Sequence, residues 1–300
     1  KGGLGRSEHM ARAWKLMFPE RVYKWNFWTD YRIKLWCGDY APPGKKNYIT
    51  IFGPSSTAKS TDFGICAYID WRAAPEITRT AVCSTDLGML DDRILGEIIR
   101  VHNECEYPFG RDFVKRILSN EKGRNPKACI KGIAVRIFKS HQEAVGKIVG
   151  AHLARNRLIV DEMQAMPRKI ITDACVNLSG SGEFLEIEMG NPVNHFDALC
   201  SPAEPVKGWQ SVDPDNPNPA NFIVCDIEHG VLIWETKRGI AAFFDGRKSP
   251  GVFEPEKYPF LLTKDKIDQE AAISGPDSQE FRSQRVGFPM SISTGKHVVT

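Results

Sequence analysis

The sequence has 300 residues, of which 42% are hydrophobic and 26% are charged, and its 40 Lys and Arg residues stand against 37 Asp and Glu residues. This composition is ordinary for a globular chain. A net charge of +3 excludes a polycationic, histone-like DNA coat, although it still permits local contacts with nucleic acid. Because no window approaches 18 uninterrupted apolar residues, the sequence predicts no membrane-spanning helix.

Eight cysteines are spread along the chain, and no two of them form a C-x-x-C pair. This spacing argues against a zinc knuckle and against a small disulfide scaffold, so we expect reduced cysteines in a cytosolic setting. The first residue is Lys1 rather than Met, and we therefore expect the sequence to be part of a longer chain.

Charge is distributed unevenly along the sequence. Residues 1–46 carry a net +6, residues 111–131 a net +5, and residues 201–235 a net −5. The second stretch contains Arg111, Lys115, Arg116, Lys122, Arg124, Lys127 and Lys131. Such a cluster suits sequence-independent contact with nucleic-acid phosphates, and a solvated loop surface is the equally good alternative.

Short β-branched runs alternate with segments of helical period along the first two thirds of the chain. The predicted strands are Tyr48–Phe52, Thr80–Val82, Ala134–Phe138, Leu158–Val160 and Leu185–Met189, and the predicted helices cover residues 60–71, 86–103, 142–152 and 165–178. This alternation predicts an α/β fold with a mainly parallel sheet flanked by helices. The proline-rich segment Asp213–Asn221 predicts an exposed loop.

The first predicted strand runs directly into a candidate phosphate-binding loop. Its residues are Gly53, Pro54, Ser55, Ser56, Thr57, Ala58, Lys59 and Ser60. Gly53, Lys59 and Ser60 stand where G-x-x-x-x-G-K-[ST] needs a tight turn, a lysine for the β/γ-phosphates and a hydroxyl for Mg²⁺. Ala58 replaces the second glycine, so an ordinary strand–turn–helix is the competing interpretation.

About 100 residues later, the apolar run Arg157–Val160 ends in two acids, Asp161 and Glu162. A buried parallel strand presents its carboxyl end at the ligand edge of the sheet. We therefore predict that Asp161 holds Mg²⁺ and that Glu162 polarises the attacking water. An acidic N-cap for the following helix is the alternative, and the pairing with Gly53–Ser60 disfavours it.

A third predicted strand ends in Gly190-Asn191-Pro192. As the next polar strand end in the series, Asn191 is predicted to contact the γ-phosphate or the lytic water and to report hydrolysis. A plain Gly-Asn-Pro turn is the alternative.

At these residues the sequence resembles the large subunit of tailed-phage terminases, the ATPase that packages viral DNA. The matching segments, in the family's order, are Ile49–Ser60, Thr80–Arg100, Leu158–Glu162, Gly190–Pro192, Gly208–Trp209, Phe244–Pro250 and Gly275–Pro289. They cover nearly the whole chain, and the last two are more particular to terminases than the ATPase motifs are. The resemblance implies a P-loop NTPase of the additional-strand, conserved-glutamate type.

The resemblance also implies a domain organisation. Residues 1–46 would form an N-terminal segment on the adenine side, residues 47–204 the ATPase core, and residues 205–300 a small lid subdomain. In the family a nuclease domain of RNase H-like fold follows, and this sequence stops about where it should begin. We therefore expect that domain beyond residue 300 and not within this chain.

The activity implied by the resemblance is ATP hydrolysis with Mg²⁺, coupled to translocation of double-stranded DNA into a procapsid. Implied partners are the portal protein, the small terminase subunit and further copies of this chain in a homo-oligomeric ring, all in the host cytoplasm. Asn191 would couple loss of the γ-phosphate to movement of the lid.

The phosphate loop departs from the family pattern in one further respect, and an aromatic residue is a candidate for the family's adenine contact. Some members carry an arginine in the phosphate loop, and Gly53–Ser60 has none. Arg155, with Arg157 beside it, is therefore a candidate arginine finger, and a charge flanking a buried strand is the alternative. Trp28, within the aromatic run Phe27–Tyr31, is a candidate for stacking on adenine, and a core position is the alternative.

Two other functions remain open at this point. One is a helicase-like, nucleic-acid-dependent P-loop ATPase, which would separate strands. The other is a degenerate phosphate-loop scaffold that binds DNA or a partner without hydrolysis, and Ala58 is its main support.

Overall fold

The computed structural model describes residues 5–43, 48–107, 113–119, 125–137, 140–180 and 182–290. In these residues the α-helices are α1 (Arg6–Met17), α2 (Phe27–Cys37), α3 (Lys59–Ala73), α4 (Leu87–Asp92), α5 (Ile94–Glu104), α6 (His141–Val149), α7 (Arg168–Ser179), α8 (Pro250–Phe253), α9 (Lys264–Ser274) and α10 (Gln279–Phe281). None of these helices is long and apolar enough to cross a membrane.

The strands are β1 (Tyr48–Phe52), β2 (Thr78–Ser84), β3 (Ile117–Ser119), β4 (Cys129–Ala134), β5 (Arg155–Val160), β6 (Glu183–Gly190), β7 (Val224–Asp226), β8 (Val231–Glu235) and β9 (Ile240–Phe244). They form one sheet in the order β3-β4-β2-β5-β6-β1-β9-β8-β7. In that order, the six strands from β4 to β9 pair in parallel. The pairs β3–β4, β9–β8 and β8–β7 at the two ends of the sheet are antiparallel. The predicted α/β fold is therefore confirmed.

The sheet is buried on both faces because alternate residues of its central strands pack into two hydrophobic cores. Along β5, Ile159 joins the core formed with α1, α2, α3 and α5, whereas Leu158 and Val160 join the core formed with α7 and α9. Parallel strands covered on both faces read as continuous apolar runs. This is why the sequence alone predicts β5 and β2.

One predicted strand is wrong. The sequence predicts a strand over residues 134–138, but β4 ends at Ala134 and Val135–Ile137 form a 3₁₀ turn, while Phe138 lies outside the described residues. The backbone N–H of Arg136 donates to the carbonyl oxygen of Thr85, 3.1 Å away, as the chain leaves the sheet. Lys131 and Gly132 interrupt the apolar run of β4, so a prediction based on apolar residues does not find this strand.

The segment 205–300, predicted as a lid subdomain, supplies three strands to the same sheet. β9 pairs in parallel with β1, and β8 and β7 follow it in antiparallel pairing. The predicted boundary near residue 204 therefore does not separate two sheets. The N-terminal helices α1 and α2 likewise pack on α3 in one core.

Buried carboxylates form ion pairs with arginines from neighbouring elements. Arg32 of α2 donates to Asp62 of α3 over 2.6 Å, and both side chains are fully buried. On β6, Glu186 pairs with Arg238 at 3.1 Å and Glu188 pairs with Arg168 at 2.5 Å. Burial, followed by the neighbouring Glu188 carboxylate, raises the pKa of Glu186 well above its usual range.

We expect Glu186→Gln to stabilise the protein more at pH 8 than at pH 5. A raised folded-state pKa means that the contribution of Glu186 to stability is present at low pH and is lost as the pH rises, and glutamine removes that loss. The gain in Tm should be about 2–4 °C for each kcal/mol by which the free energy of unfolding rises. Thermal unfolding at both pH values measures it.

Glu183 on the same strand provides a control of opposite sign. Its partial burial opposes ionisation, yet Arg157, Arg6 and Arg155 lower its pKa. Glu183→Gln should therefore cost more stability at pH 8 than at acid pH. Equal pH dependence for the two variants would contradict the assignment of Glu186.

Candidate nucleotide-binding site

The predicted site residues meet at the carboxyl edge of three adjacent strands. Gly53–Ala58 follow β1, Asp161 follows β5, and Asn191 follows β6, which lies between the other two. This inserted strand is the additional strand of the predicted fold type. A cavity of about 460 Å³ opens there, lined by residues 55–61, Asp92, Arg93, Glu97, Asp161, Glu162 and Asn191.

The loop from Gly53 to Ala58 turns tightly before α3 begins at Lys59. Ser56 and Ala58 both have φ of 59°, the left-handed conformation that favours glycine. The hydroxyl of Thr57 donates to the carbonyl oxygen of Pro54 at 2.9 Å and closes the turn. Ala58 therefore adopts the backbone shape expected of the missing glycine, at a cost in strain.

Lys59 fills the centre of this loop. Its ammonium donates to the carbonyl oxygens of Gly53 and Pro54 at 2.7 and 2.5 Å, and to Asn191 Oδ1 at 3.2 Å. Burial, together with Arg32 and Arg93, lowers the pKa of Lys59 to about 7, although Asp161 opposes the shift. A bound polyanion would supply the negative charge that this buried cation lacks.

Ser60 and Asp161 form the second part of the site. The hydroxyl of Ser60 donates to Asp161 Oδ2 at 3.2 Å, and burial raises the pKa of Asp161 against the pull of Lys59 and Arg93. The described residues contain no cluster of three or more His, Cys, Asp or Glu that could hold a metal. One hydroxyl and one carboxylate nevertheless fit Mg²⁺, which takes few protein oxygens when phosphates and water supply the rest.

Glu162 lies beside Asp161 with φ of 57°, a strained conformation for a residue other than glycine. Its carboxylate forms an ion pair with Arg93 and accepts a hydrogen bond from Gln164 Nε2 at 2.5 Å. Arg93 stands at the junction of α4 and α5, and its side chain is 41% exposed. Sequence reasoning missed it, because no motif marks that junction.

Asn191 connects the loop to the C-terminal part of the described chain. Its Nδ2 donates to Ser55 Oγ at 2.8 Å and to Gln284 Oε1 at 3.1 Å. Gln284 also accepts from Ser55 Oγ at 3.2 Å. The resemblance marks the segment that contains Gln284, but nothing in the sequence singles out this residue.

Three predicted residues are not brought to the site. Arg155 lies at the amino end of β5, at the opposite edge of the sheet, where its guanidinium pairs with Asp70 at 2.7 Å and is 15% exposed. Arg157 is fully buried on the same Asp70. Trp28 is also fully buried, and its Nε1 donates to the carbonyl oxygen of His229, so no ring face is open to adenine.

The basic stretch 111–131 is described only in part. Arg111, Lys122 and Arg124 lie outside the described residues. Lys115 and Arg116 form a tight turn with φ of 48° and 64°, and Arg116 pairs with Asp91. Lys115 and Lys127 are exposed, so they are the described cations of this stretch that face solvent freely.

The fold is shared with solved structures of phage large terminases. They include the large terminase of bacteriophage HK97 (TM-score 0.59, 14% identity, covering 95% of this chain and 56% of that one). Two others are structures of the large terminase of a thermophilic bacteriophage, one in complex with ADP (0.52, 14%, 86% and 52%) and one with ATP-gamma-S (0.51, 13%, 86% and 51%). The chain thus spans about half the length of these proteins.

No family model and no curated protein sequence matches the chain. At 13–14% identity the structural likeness shows the fold alone, which is that of a P-loop NTPase.

We expect Ala58→Gly to raise the free energy of unfolding by about 0.5–1 kcal/mol, because release of left-handed strain outweighs the added freedom of the unfolded chain. The control is Ala272→Gly on the exposed side of α9, which should lower it by about 0.5–1 kcal/mol. Urea unfolding measures both. Losses of equal size in the two variants would show that residue 58 is not left-handed.

Proposed function

We propose that the chain is the ATP-hydrolysing motor region of a phage terminase large subunit, which translocates double-stranded DNA into a procapsid. The observation that carries this proposal is the meeting of Lys59, Ser60, Asp161, Glu162 and Asn191 at one cavity of this fold. The large terminase of the thermophilic bacteriophage, which shares the fold, is solved with ADP and with ATP-gamma-S.

Nucleotide binding would rest on the loop and on Lys59. Backbone N–H groups at the start of α3, with the helix dipole behind them, favour the negative charge of a triphosphate. Lys59 would leave the carbonyls of Gly53 and Pro54 and turn its charge toward the β- and γ-phosphates.

Ser60 and Asp161 would hold Mg²⁺, since their oxygens already lie 3.2 Å apart at the end of the phosphate loop. An Mg²⁺ ion held by these two residues would supply positive charge beside the phosphates. Asp161 is buried, so an adjacent cation would hold it in the ionised form.

Glu162 would orient the attacking water and accept its proton. Before it can do so, its carboxylate must exchange the ion pair with Arg93 and the hydrogen bond from Gln164 for the water. Arg93, and not Arg155, is the arginine that lines the cavity among the described residues, so it is available to the phosphates in cis. A neighbouring subunit of a ring is the other source of such a charge.

Double-stranded DNA, the portal protein and the small terminase subunit are the partners that this function requires, with further copies of the chain in a ring. Lys115 and Lys127 would contact DNA through its phosphates, because a packaging motor must tolerate every sequence. The degenerate-scaffold alternative loses its main support, since Ala58 takes the backbone conformation of the glycine that it replaces.

Two substitutions should separate binding from catalysis. We expect Lys59→Ala to abolish binding of Mg·ATP, and Glu162→Gln to retain binding while hydrolysis falls by about 10²–10⁴-fold. Calorimetry and phosphate release measure the two effects. Lys169→Ala on the surface of α7, where the side chain is 80% exposed, serves as the control and should leave both unchanged.

Near-wild-type turnover in Glu162→Gln would remove Glu162 from the mechanism. Unchanged ATP affinity in Lys59→Ala would show that the loop is not the site.

Neutralising Lys115 and Lys127 together should weaken DNA binding and reduce the slope of log affinity against log salt by about 0.9 for each phosphate that is no longer neutralised. Titrations between 50 and 200 mM salt, about the usual range for such slopes, measure it. Lys169 of α7 and Lys264 of α9, both strongly exposed and distant in sequence from the basic stretch, form the double control. An unaltered slope would place the DNA contact elsewhere, and strand displacement driven by ATP would favour the helicase-like alternative.

A further inference from the structure

Three side chains from three separate parts of the chain form a closed triangle of hydrogen bonds beside the phosphate loop. Ser55 belongs to the loop, Asn191 follows β6, and Gln284 lies in the C-terminal segment Arg282–Phe288. Asn191 Nδ2 donates to both Ser55 Oγ and Gln284 Oε1, and Ser55 Oγ donates to Gln284 Oε1. The three distances are 2.8, 3.1 and 3.2 Å.

The backbone around Gln284 is held tightly against the loop. Gln284 lies in the middle of a π-helix, Arg282–Val286, which ends at Gly287 with φ of 84°. A Cβ on Gly287 would lie 2.4 Å from Pro54 Cδ and 2.6 Å from the carbonyl carbon of Gly53, so the two backbones touch. Turns of π-helix are rare and occur often at functional sites.

The outer side of the same segment is tied to the proline-rich loop. Arg282 pairs with Asp215 at 2.9 Å, and Asp215 also pairs with Arg247 at 2.6 Å. Val286 is fully buried, and Phe288 packs against Phe243 of β9. A displacement of Gln284 therefore moves the whole packed segment Arg282–Phe288.

We propose that Gln284 is a positioning residue that transmits the occupancy of the phosphate loop to the segment Arg282–Phe288. The inference rests on the proposed nucleotide-binding function. It adds a connection from Asn191 to the C-terminal part of the described chain, through one identified side chain.

Asn191 uses both of its amide hydrogens in this triangle. Its Oδ1 accepts from Lys59, and the two hydrogens of its Nδ2 are donated to Ser55 and Gln284. When Lys59 turns to a phosphate, Asn191 Oδ1 loses its donor. When Asn191 itself donates to a phosphate oxygen, Ser55 or Gln284 must lose a bond, so the triangle closes only without nucleotide.

The test uses Gln284→Met, which keeps the length of the side chain and removes its acceptor oxygen. The control is Gln279→Met in α10, a glutamine of the same region that donates to the carbonyl oxygen of Val193 and is exposed. Hydrogen–deuterium exchange of residues 278–290 is compared with and without saturating Mg·ATP-γ-S in the wild type and both variants.

We expect the nucleotide to change exchange in residues 278–290 of the wild type and of Gln279→Met. In Gln284→Met most of that difference should disappear, while nucleotide affinity should rise by about 2–10-fold, because the lost hydrogen bonds stabilise only the nucleotide-free state. Gln284→Glu retains an acceptor oxygen for Ser55 and Asn191, so it should retain the difference at saturation. If Gln284→Met does not fold, this variant is the readout, and loss of the difference in it would contradict the inference.

A nucleotide-dependent difference of wild-type size in Gln284→Met would overturn the inference, as would its absence in a wild-type protein that binds nucleotide. A merely structural role would raise exchange equally in both states and leave the difference intact. Failure of the wild type to bind nucleotide would instead remove the proposed function, and the inference with it.

Discussion

The parallel pairing of β5, β6 and β1 is the constraint on which the rest of the site depends. Parallel strands end at the same edge of a sheet, so the residues directly after them become neighbours whatever their separation in sequence. Ser60 and Asp161 are 101 residues apart and hydrogen-bonded because of this pairing. The insertion of β6 between the other two strands places Asn191 between the loop and the acids, where it can touch both the lysine and the C-terminal segment.

Within this frame, Lys59 sets the electrostatics of the site. Its buried ammonium bonds to the loop's own carbonyl groups, and it shares a low-dielectric environment with Arg32, Arg93 and Asp161. Arg32 is paired with Asp62 and Arg93 with Glu162, whereas the hydrogen bonds of the Lys59 ammonium go to neutral oxygens, so a bound anion would complete its charge pairing. The strained conformations of Ser56, Ala58 and Glu162 lie around the same cavity, as is common where a fold stores strain for function.

The fold and the strand-end residues of the site could be predicted because short-range patterns encode them. Apolar runs that lead into Gly53, Asp161 and Asn191 mark buried strands and the polar residues after them. Arg93 and Gln284 could not be found this way, since only the folded chain brings a helix junction and a C-terminal turn to the loop. The roles predicted for Arg155 and Trp28 rest on their position in the chain alone. In the structure Arg155 pairs with Asp70 and Trp28 is fully buried, so neither side chain reaches the cavity.

The fully buried pair of Arg32 and Asp62 limits how far this chain can be shortened from its N-terminal side. Asp62 lies in the first turn of α3, directly below the phosphate loop, and its guanidinium partner comes from α2. A shortened chain beginning at β1 would lack that arginine and would expose the apolar face of α3 on which α1 and α2 pack. The N-terminal helices therefore belong to the same folding unit as the candidate site, and a minimal autonomous unit of this fold has to include them.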